Sequence, residues 1–177
     1  GFQTFKVQGY EADDLIATIT KKLLTHDTIT EIQIYTMDKD ILQLCTDPRV
    51  LVMKKNNDPN PMNGQSVIDK YGITPEQFTD YQALCGDSVD GFRGVRGVGP
   101  KTAAGLLQLY KKAELITLER VVEHMETVLI SKQLAKLVDD VSIDIEMTPK
   151  PRDAKRLSDF LFEMMFNPKN FVIKRRK

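Results

Sequence analysis

The alternation of helical and extended segments in the first third of the chain is the feature that most limits its fold. Apolar residues recur at helical spacing from Glu11 to Leu24, and short apolar strands are predicted at 32–36 and 50–53. A short helix is predicted between those strands, at 41–44. This order favours a parallel α/β sheet, which binds its ligands at the carboxyl ends of its strands. Asp38 lies just beyond such an end.

The rest of the chain is predicted to be mostly helical. Residues 54–64 are rich in Asn, Pro and Asp and are predicted to form a surface loop. Thr74 followed by proline is typical of a helix start. Further segments are a strand remnant and loop at 1–9, helices at 101–110 and 118–137, a strand at 141–145, and a last amphipathic helix marked by Leu157, Phe160, Leu161, Met164 and Met165. Leu109 is expected to pack with Ala104 and Leu107 on the helix at 101–110. We therefore predict a sheet-containing domain at 1–70 and a helical domain at 71–177.

Composition sets limits but does not identify a function. The chain has 25 basic and 25 acidic residues, so its formal net charge is zero, and the location of charge matters more than the total. Cys45 and Cys85 are too few and too far apart for a metal knuckle or a disulfide framework. No apolar run is long enough for a membrane span, and no secretory signal is visible. We expect a cytoplasmic protein.

Acidic residues concentrate in separate segments, at 11–14, 38–40 and 87–90. A fold that gathers mutually repelling carboxylates usually binds a cation among them. Ligands that are all oxygen favour Mg²⁺ or Mn²⁺ over Zn²⁺. The candidate metal ligands are Glu11, Asp13, Asp14, Asp38, Asp40, Asp87 and Asp90.

Each acidic segment also has a purely structural interpretation. Asp13 suits the first turn of a helix, where the helix dipole favours negative charge. Asp40 is placed to cap the short helix that follows it. Asp87 and Asp90 suit a turn after Gly86. The sequence leaves these alternatives open.

A glycine-punctuated segment follows the last acidic group. Gly94, Gly97 and Gly99 precede Lys101 and a predicted helix. Glycine lets backbone N–H groups approach a phosphate, and a helix start adds positive potential. A plain tight turn is the alternative, but the order G-V-x-G-V-G-x-K-T is typical of helix–hairpin–helix DNA binders. The predicted DNA-binding residues are Gly94, Arg96, Gly97, Gly99, Lys101 and Thr102.

Four collinear segments resemble a known family. They are GYEADD at 9–14, TMDKDILQL at 36–44, YGITP at 71–75, and DYQALCGDSVDGFRGVRGVGPKT at 80–102. Together they resemble the 5′-nuclease domain of bacterial DNA polymerase I and, more distantly, the flap endonucleases. The resemblance implies a PIN-like (resolvase-like) α/β nuclease core with a parallel sheet, followed by a helix–three-turn–helix DNA-binding subdomain.

The resemblance also implies a chemistry. A structure-specific 5′-3′ exonuclease or flap endonuclease of this kind hydrolyses DNA and RNA-primer phosphodiesters in replication and repair, with two Mg²⁺ or Mn²⁺ ions held by carboxylates. The implied catalytic residues are Glu11, Asp13, Asp38 and Asp90. The implied partners are duplex or 5′-flap DNA, bound without sequence preference, a K⁺ ion at the glycine hairpin, and a covalently linked polymerase domain.

Members of this family carry a further region ahead of the GYEADD segment, with more aspartates and a basic helical arch. Since the segment begins at Gly9, the resemblance implies a nuclease core that is incomplete at its N-terminus and weak in activity by itself. The alternative function is a non-catalytic DNA-binding fragment that uses the glycine hairpin.

Overall fold

A computed structural model of the chain describes residues 3–55, 58–147 and 154–163. Its contacts group into two compact units. The larger unit is Val7–Ser142, and the smaller combines Gly1–Lys6 with Ile143–Lys177. The domain boundary predicted between residues 70 and 71 stays a prediction.

A small parallel sheet forms the centre of the first part of the larger unit. Strand β1, Ile32–Tyr35, pairs in parallel with strand β2, Val50–Met53, so that Ile32 lies opposite Val50. Buried and exposed residues alternate along β1, whereas three of the four residues of β2 are buried. Apolar β-branched residues at alternate positions explain the alternation along β1, because they fit a pleated surface with one face in the core. Strand β2 is apolar at all four positions, which agrees with its more complete burial. The predicted α/β class with a parallel sheet is confirmed.

Helices flank the sheet in chain order. Helix α1, Ala12–Leu24, begins after Glu11, and a 3-10 helix at Asp40–Leu44 connects the two strands. Helix α2, Gly64–Tyr71, begins where the Asn63 side chain accepts a hydrogen bond from the Ser66 N–H at 2.9 Å. Helix α1 and the 3-10 helix lie within one or two residues of the positions that the hydrophobic spacing predicts, whereas no separate helix at Gly64–Tyr71 is predicted.

The second half of the larger unit is helical. A 3-10 turn at Pro75–Gln77 leads directly into helix α3, which is Phe78–Cys85. Helix α4 is Pro100–Tyr110, and a 3-10 turn at Ala113–Leu115 follows it. The remaining helices are α5, Glu119–Val122, and α6, Met125–Ala135, and in the smaller unit α7, Ala154–Glu163.

One hydrophobic core runs through the larger unit from the sheet into the helices. Its largest fully buried apolar side chains are Phe78, Ile41, Ile73, Leu84 and Leu107. Helix α3 contributes Phe78 at its first position and Leu84 near its last, so packing in the core fixes both ends of the helix. The residues that leave its C-terminal end are therefore held in place by the core.

Three predictions about elements are wrong. No strand forms at 141–145, although Val141 and Ile143 are buried and Ser142 between them is exposed. The segment has the alternation of a strand, but among the residues described it does not join the sheet, and the Val141 N–H donates to the Thr18 hydroxyl at 3.2 Å. Leu109 is 72% exposed and does not pack in the core. Residues 3–9 contain no strand.

Some predictions fall on residues outside the described ranges. Met164 and Met165 of the predicted last helix lie there, as does the basic run at 174–177. Within the described residues, no helix is both long enough and apolar enough to cross a membrane.

Candidate metal centre

The end of strand β1 places two of the aspartates. The Asp38 N–H donates to the Thr36 hydroxyl at 3.0 Å, and the Asp38 carboxylate accepts the Asp40 N–H at 2.9 Å. Asp38 therefore closes the turn that starts the 3-10 helix. Asp40 belongs to that helix and makes no cap hydrogen bond. Its side chain is buried, with Asp40 only 9% exposed. The structural alternative for Asp40, capping of this helix, is therefore not observed, because Asp40 lies within the helix and its N-cap residue is Lys39.

The loop after helix α3 places two more. Helix α3 ends at Cys85, and Gly86 turns the chain with a positive φ of 80°. Asp87 and Phe92 then exchange two backbone hydrogen bonds, at 3.0 and 2.8 Å, which fold the intervening residues into a short closed loop. Within it, the Asp87 carboxylate accepts the Val89 N–H at 3.1 Å. The loop turns Asp90 back beside Asp87.

Three carboxylates from these two segments meet. One oxygen from each of Asp40, Asp87 and Asp90 lies within 4.8 Å of the others. Such a donor set contains only carboxylate oxygen and is compact enough for a single hard cation such as Mg²⁺ or Mn²⁺. We call these three residues the carboxylate cluster. The fold thus brings together acids that are nearly fifty positions apart in the sequence.

The electrostatics of the cluster reflect its crowding. Burial raises the pKa of Asp40 to about 6, and the negative charges of Asp38, Asp90 and Asp87 add to the effect. The pKa of Asp90 is raised too, by loss of solvation and by the charge of Asp87. A divalent cation would remove both penalties, because it favours the ionised form of every carboxylate around it. The residues present therefore fit such a cation.

Lys39 has its charged end in the cluster. Its ammonium forms an ion pair with the Asp87 carboxylate, whose side chain is 3% exposed. Burial would raise the pKa of Asp87, but hydrogen bonds from Lys39, Val89 and Gln82 outweigh it, so that pKa is lowered. A lysine between two aspartates at a strand end would ordinarily be expected to point towards solvent or DNA, but Lys39 instead has its ammonium beside Asp87. Asp87 offers it a partner that the sequence alone does not reveal.

Gln82 is a participant that the sequence analysis missed. It lies on helix α3, is 2% exposed, and donates through Nε2 to Asp40 at 2.7 Å and to Asp87 at 3.3 Å. Its Oε1 is a buried polar atom without a partner among the described residues. A glutamine on the otherwise apolar face of a helix leading into the Asp87 segment was the available signal.

The other predicted ligands lie in two different places. Glu11, Asp13 and Asp38 line one shallow groove between helix α1 and the end of strand β1. Asp38 also lies close enough to raise the pKa of both Asp40 and Asp90, so this groove borders the carboxylate cluster.

Asp14 is engaged in backbone contacts. Its two oxygens accept the Glu11 N–H at 3.3 Å and the Val138 N–H at 2.8 Å. These contacts stabilise the start of α1 and tie it to the segment after α6. The structural interpretation accounts for Asp14 more directly than a ligand role.

The glycine hairpin leads into helix α4. Val95 and Val98 are each 3% exposed and anchor it to the core, and the Val95 N–H donates to the Leu84 carbonyl at 2.9 Å. The other predicted DNA-binding residues split into two groups. Gly94 packs against Gly86, whereas those that face solvent are Arg96, Gly97, Gly99, Lys101 and Thr102. The exposed part of the hairpin and the helix start thus carry one cationic side chain each, Arg96 and Lys101.

A parallel α/β core, a compact cluster of carboxylates and a solvent-facing glycine hairpin define the class: they are features expected of a nuclease. Comparison with known proteins agrees. A family model described as "5′-3′ exonuclease, N-terminal resolvase-like domain" matches residues 1–72. A second, described as "5′-3′ exonuclease, C-terminal SAM fold", matches residues 73–156. The chain belongs to the 5′-3′ exonuclease family.

The curated relatives are bacterial DNA polymerases I and a 5′-3′ exonuclease. The chain is 35% identical to DNA polymerase I of Rhizobium leguminosarum, with 91% of this chain and 17% of that protein aligned. It is 33% identical to the thermostable DNA polymerase I of Thermus aquaticus, over 94% of this chain and 21% of that protein. It is 37% identical to a 5′-3′ exonuclease of Aquifex aeolicus, over 88% of this chain and 54% of that protein. The chain thus spans between about a sixth and about half of the length of these relatives.

Solved structures share the fold. A structure of the 5′-exonuclease of bacteriophage T5 with bound divalent metal ions (zinc) superimposes with a TM-score of 0.66 at 23% identity, covering 77% of this chain and 54% of that one. A bacteriophage T5 flap endonuclease in complex with DNA and metal ions superimposes with a TM-score of 0.65 at 22% identity, covering 77% and 53%. The predicted nuclease-type fold is therefore confirmed.

Proposed function

We propose that the chain provides a divalent-metal-dependent 5′-3′ nuclease activity that hydrolyses phosphodiester bonds of DNA at 5′ ends or flaps. The observation that carries the proposal is the convergence of Asp40, Asp87 and Asp90 to within 4.8 Å of one another. Membership of the 5′-3′ exonuclease family supports the reaction class. Removal of RNA primers and flaps would give the activity a role in replication and repair.

Two sets of carboxylates are available for cations. Asp40, Asp87 and Asp90 would hold one ion, and the groove lined by Glu11, Asp13 and Asp38 would contribute to a second. When bound, Mg²⁺ or Mn²⁺ activates a water molecule and neutralises charge that builds up on phosphate oxygens. The side chains themselves need only hold and orient, since three clustered carboxylates provide charge and fixed geometry. No histidine or cysteine lies among these six residues to act as a nucleophile.

The glycine hairpin would hold the substrate beside this site. Lys101 and Thr102 lie in the first turn of α4, where backbone N–H groups lack partners within the helix, and Arg96 adds a second cationic side chain. Such a surface suits phosphates and not base edges, which favours duplex or 5′-flap DNA of any sequence. A K⁺ ion at the hairpin, a linked polymerase domain and a cytoplasmic location belong to the same proposal.

Asp90→Asn tests the proposal in the full-length protein. Asp90 is exposed, so its replacement should leave the fold intact while removing one charged ligand. We expect Mg²⁺-dependent cleavage of a 5′-flap duplex to fall by about a hundredfold or more, since loss of the outer partners of a ligand alone costs up to that much. Duplex binding, measured in Ca²⁺, should change little.

Asp69→Asn is the matched control, because Asp69 is an exposed aspartate on α2, outside both acidic sets. It should cleave at the wild-type rate. If Asp90→Asn also cleaves at that rate, the carboxylate cluster is not the catalytic centre. Duplex binding without any metal-dependent cleavage in the wild type would favour the DNA-binding alternative.

A further inference from the structure

Two side chains that are not candidate ligands lie inside the carboxylate cluster. Gln82 comes from helix α3, and Lys39 comes from the turn between Asp38 and Asp40. Both contact Asp87 at the same oxygen, Oδ2. The two groups differ in charge: the amide of Gln82 is neutral, whereas the ammonium of Lys39 is positive, as a metal ion would be.

Gln82 joins two of the carboxylates. Its Nε2 donates to Oδ1 of Asp40 at 2.7 Å and to Oδ2 of Asp87 at 3.3 Å. Because α3 is fixed by the core, the amide holds an aspartate after β1 and an aspartate after α3 at one spacing. Its Oε1 has no partner in the described part of the chain, and an unpaired buried acceptor destabilises a fold. General stability therefore gives no reason for a glutamine here, whereas the Nε2 contacts do.

Lys39 occupies the position of a cation. Its ammonium pairs with Asp87, while about 40% of its side chain is exposed. A metal ion that coordinates this oxygen must displace the ammonium, since both are positive and need the same lone pairs. The flexible stem and partial exposure of Lys39 give the ammonium a route to solvent.

We propose that Gln82 and Lys39 are positioning residues with opposite effects on cation binding. Gln82 holds Asp40 and Asp87 at the spacing of one shared ion. Lys39 neutralises Asp87 in the ion-free protein and leaves when a divalent ion binds. This inference rests on the proposed function, in that Asp40, Asp87 and Asp90 are taken as the ligands.

Binding of Mn²⁺ to the full-length protein tests both roles, with free Mn²⁺ followed by electron paramagnetic resonance. Gln82→Leu should weaken Mn²⁺ binding about tenfold, because partners that orient ligands typically have effects of this size. Lys39→Met should strengthen it by about tenfold, the effect that one neighbouring charge commonly has on proton affinity at a carboxylate. Gln82→Met replaces the leucine variant if the latter fails to fold.

The chain offers a matched control for each change. Gln77 is a second glutamine with structural contacts, donating to the carbonyls of Leu107 at 3.0 Å and Lys111 at 2.9 Å. Lys132 is a second lysine paired with a buried aspartate, Asp80, at 2.8 Å. Gln77→Leu and Lys132→Met should lower the urea midpoint and leave Mn²⁺ affinity within twofold of wild type.

Asp90→Asn separates failure of the inference from failure of the proposed function. If this change does not weaken Mn²⁺ binding, the assumed ligands are wrong and the inference fails with them. If Asp90→Asn weakens binding but Gln82→Leu or Lys39→Met stays within twofold of wild type, the inference alone is overturned. Weaker binding in Lys39→Met would likewise show that Lys39 is no competitor of the ion.

Discussion

Two buried aspartates of this protein, Asp80 and Asp40, have different electrostatic surroundings. Asp80, which is 3% exposed, accepts hydrogen bonds from Lys132 at 2.8 Å and from the Ala113 N–H at 3.1 Å. Asp40 has the amide of Gln82 as a donor but faces the charges of Asp38, Asp87 and Asp90. A buried carboxylate paired with a cation, such as Asp80, is explained by its structural partners, whereas one held among like charges indicates a site for a cation.

The raised pKa of Asp40 predicts how the stability of the ion-free protein depends on pH. With a pKa of about 6 in the folded protein against 3.8 ordinarily, the folded state binds more protons than the unfolded state between those values. Stability should therefore fall as the pH rises from 4 to above 6. Asp40→Asn should consequently be more stable than wild type at pH 7.5, with a smaller difference at pH 4.5.

Urea unfolding in the presence of a chelator, at both pH values, measures this difference. Asp69→Asn again provides the exposed control and should show no pH-dependent difference from wild type. A stability difference between Asp40→Asn and wild type that is the same at pH 4.5 and 7.5 would contradict the pKa assignment.

At the scale of elements, the glycine hairpin combines two physical requirements. Gly86 and Gly94 are needed because two backbone segments cross there: a Cβ on Gly94 would lie 2.3 Å from the Gly86 nitrogen and 2.4 Å from the Cys85 carbonyl carbon. At Gly99 nothing lies within 4 Å of the Cβ position, and its φ of −88° suits any residue. Gly94 therefore allows the close backbone crossing that positions Asp87 and Asp90, while Gly99 leaves the N-terminus of α4 accessible to solvent.

Gly94→Ala and Gly99→Ala form a matched pair within one hairpin. Gly94→Ala should destabilise the protein by about 3 kcal/mol, since neighbouring backbone atoms must shift to admit the methyl group. Gly99→Ala should cost about 1 kcal/mol or less, because no atom crowds the added methyl group and the change removes only the preference for glycine over alanine at this N-cap position. Chemical denaturation followed by circular dichroism measures both. An equal loss of unfolding free energy in the two variants would show that backbone crowding is not the reason for a glycine at position 94.

Local patterns predict most elements of this fold but not their partners. The spacing of apolar residues is a property of each segment, so it identifies α1, β1, β2 and α4 to within one or two residues. A strand, however, needs a neighbouring strand, and within the described residues the alternating segment 141–145 is part of no sheet. The prediction for Leu109 fails for a similar reason, because this side chain lies on an exposed side of α4. Burial depends on what packs against a face, which sequence spacing does not encode.

At the scale of the whole molecule, the same limit applies to the site. The sequence predicts the carboxylates as residue types and predicts Asp38 at a strand end. It does not predict which acids meet, because the distance between Asp40 and Asp87 is set by packing of α3 against the sheet region. The sequence does not predict Gln82 or Lys39 as part of the site for the same reason. Gln82 contacts Asp40 and Lys39 contacts Asp87, and in each pair the two residues are more than forty positions apart.

Charge distribution over the whole molecule leads to the last prediction. Because the formal net charge is zero, attraction to DNA must come from a local surface and not from the total. Lys101, exposed at the start of α4, is the central cation of that surface. Lys101→Ala should weaken binding of every duplex sequence alike and lower the slope of log affinity against log salt by about one unit. Lys21→Ala should leave that slope unchanged, because Lys21 is paired with Asp139 at 2.9 Å. Fluorescence anisotropy with two unrelated duplexes over a range of KCl concentrations distinguishes the outcomes. A loss confined to one duplex would indicate base readout and contradict phosphate recognition by the hairpin.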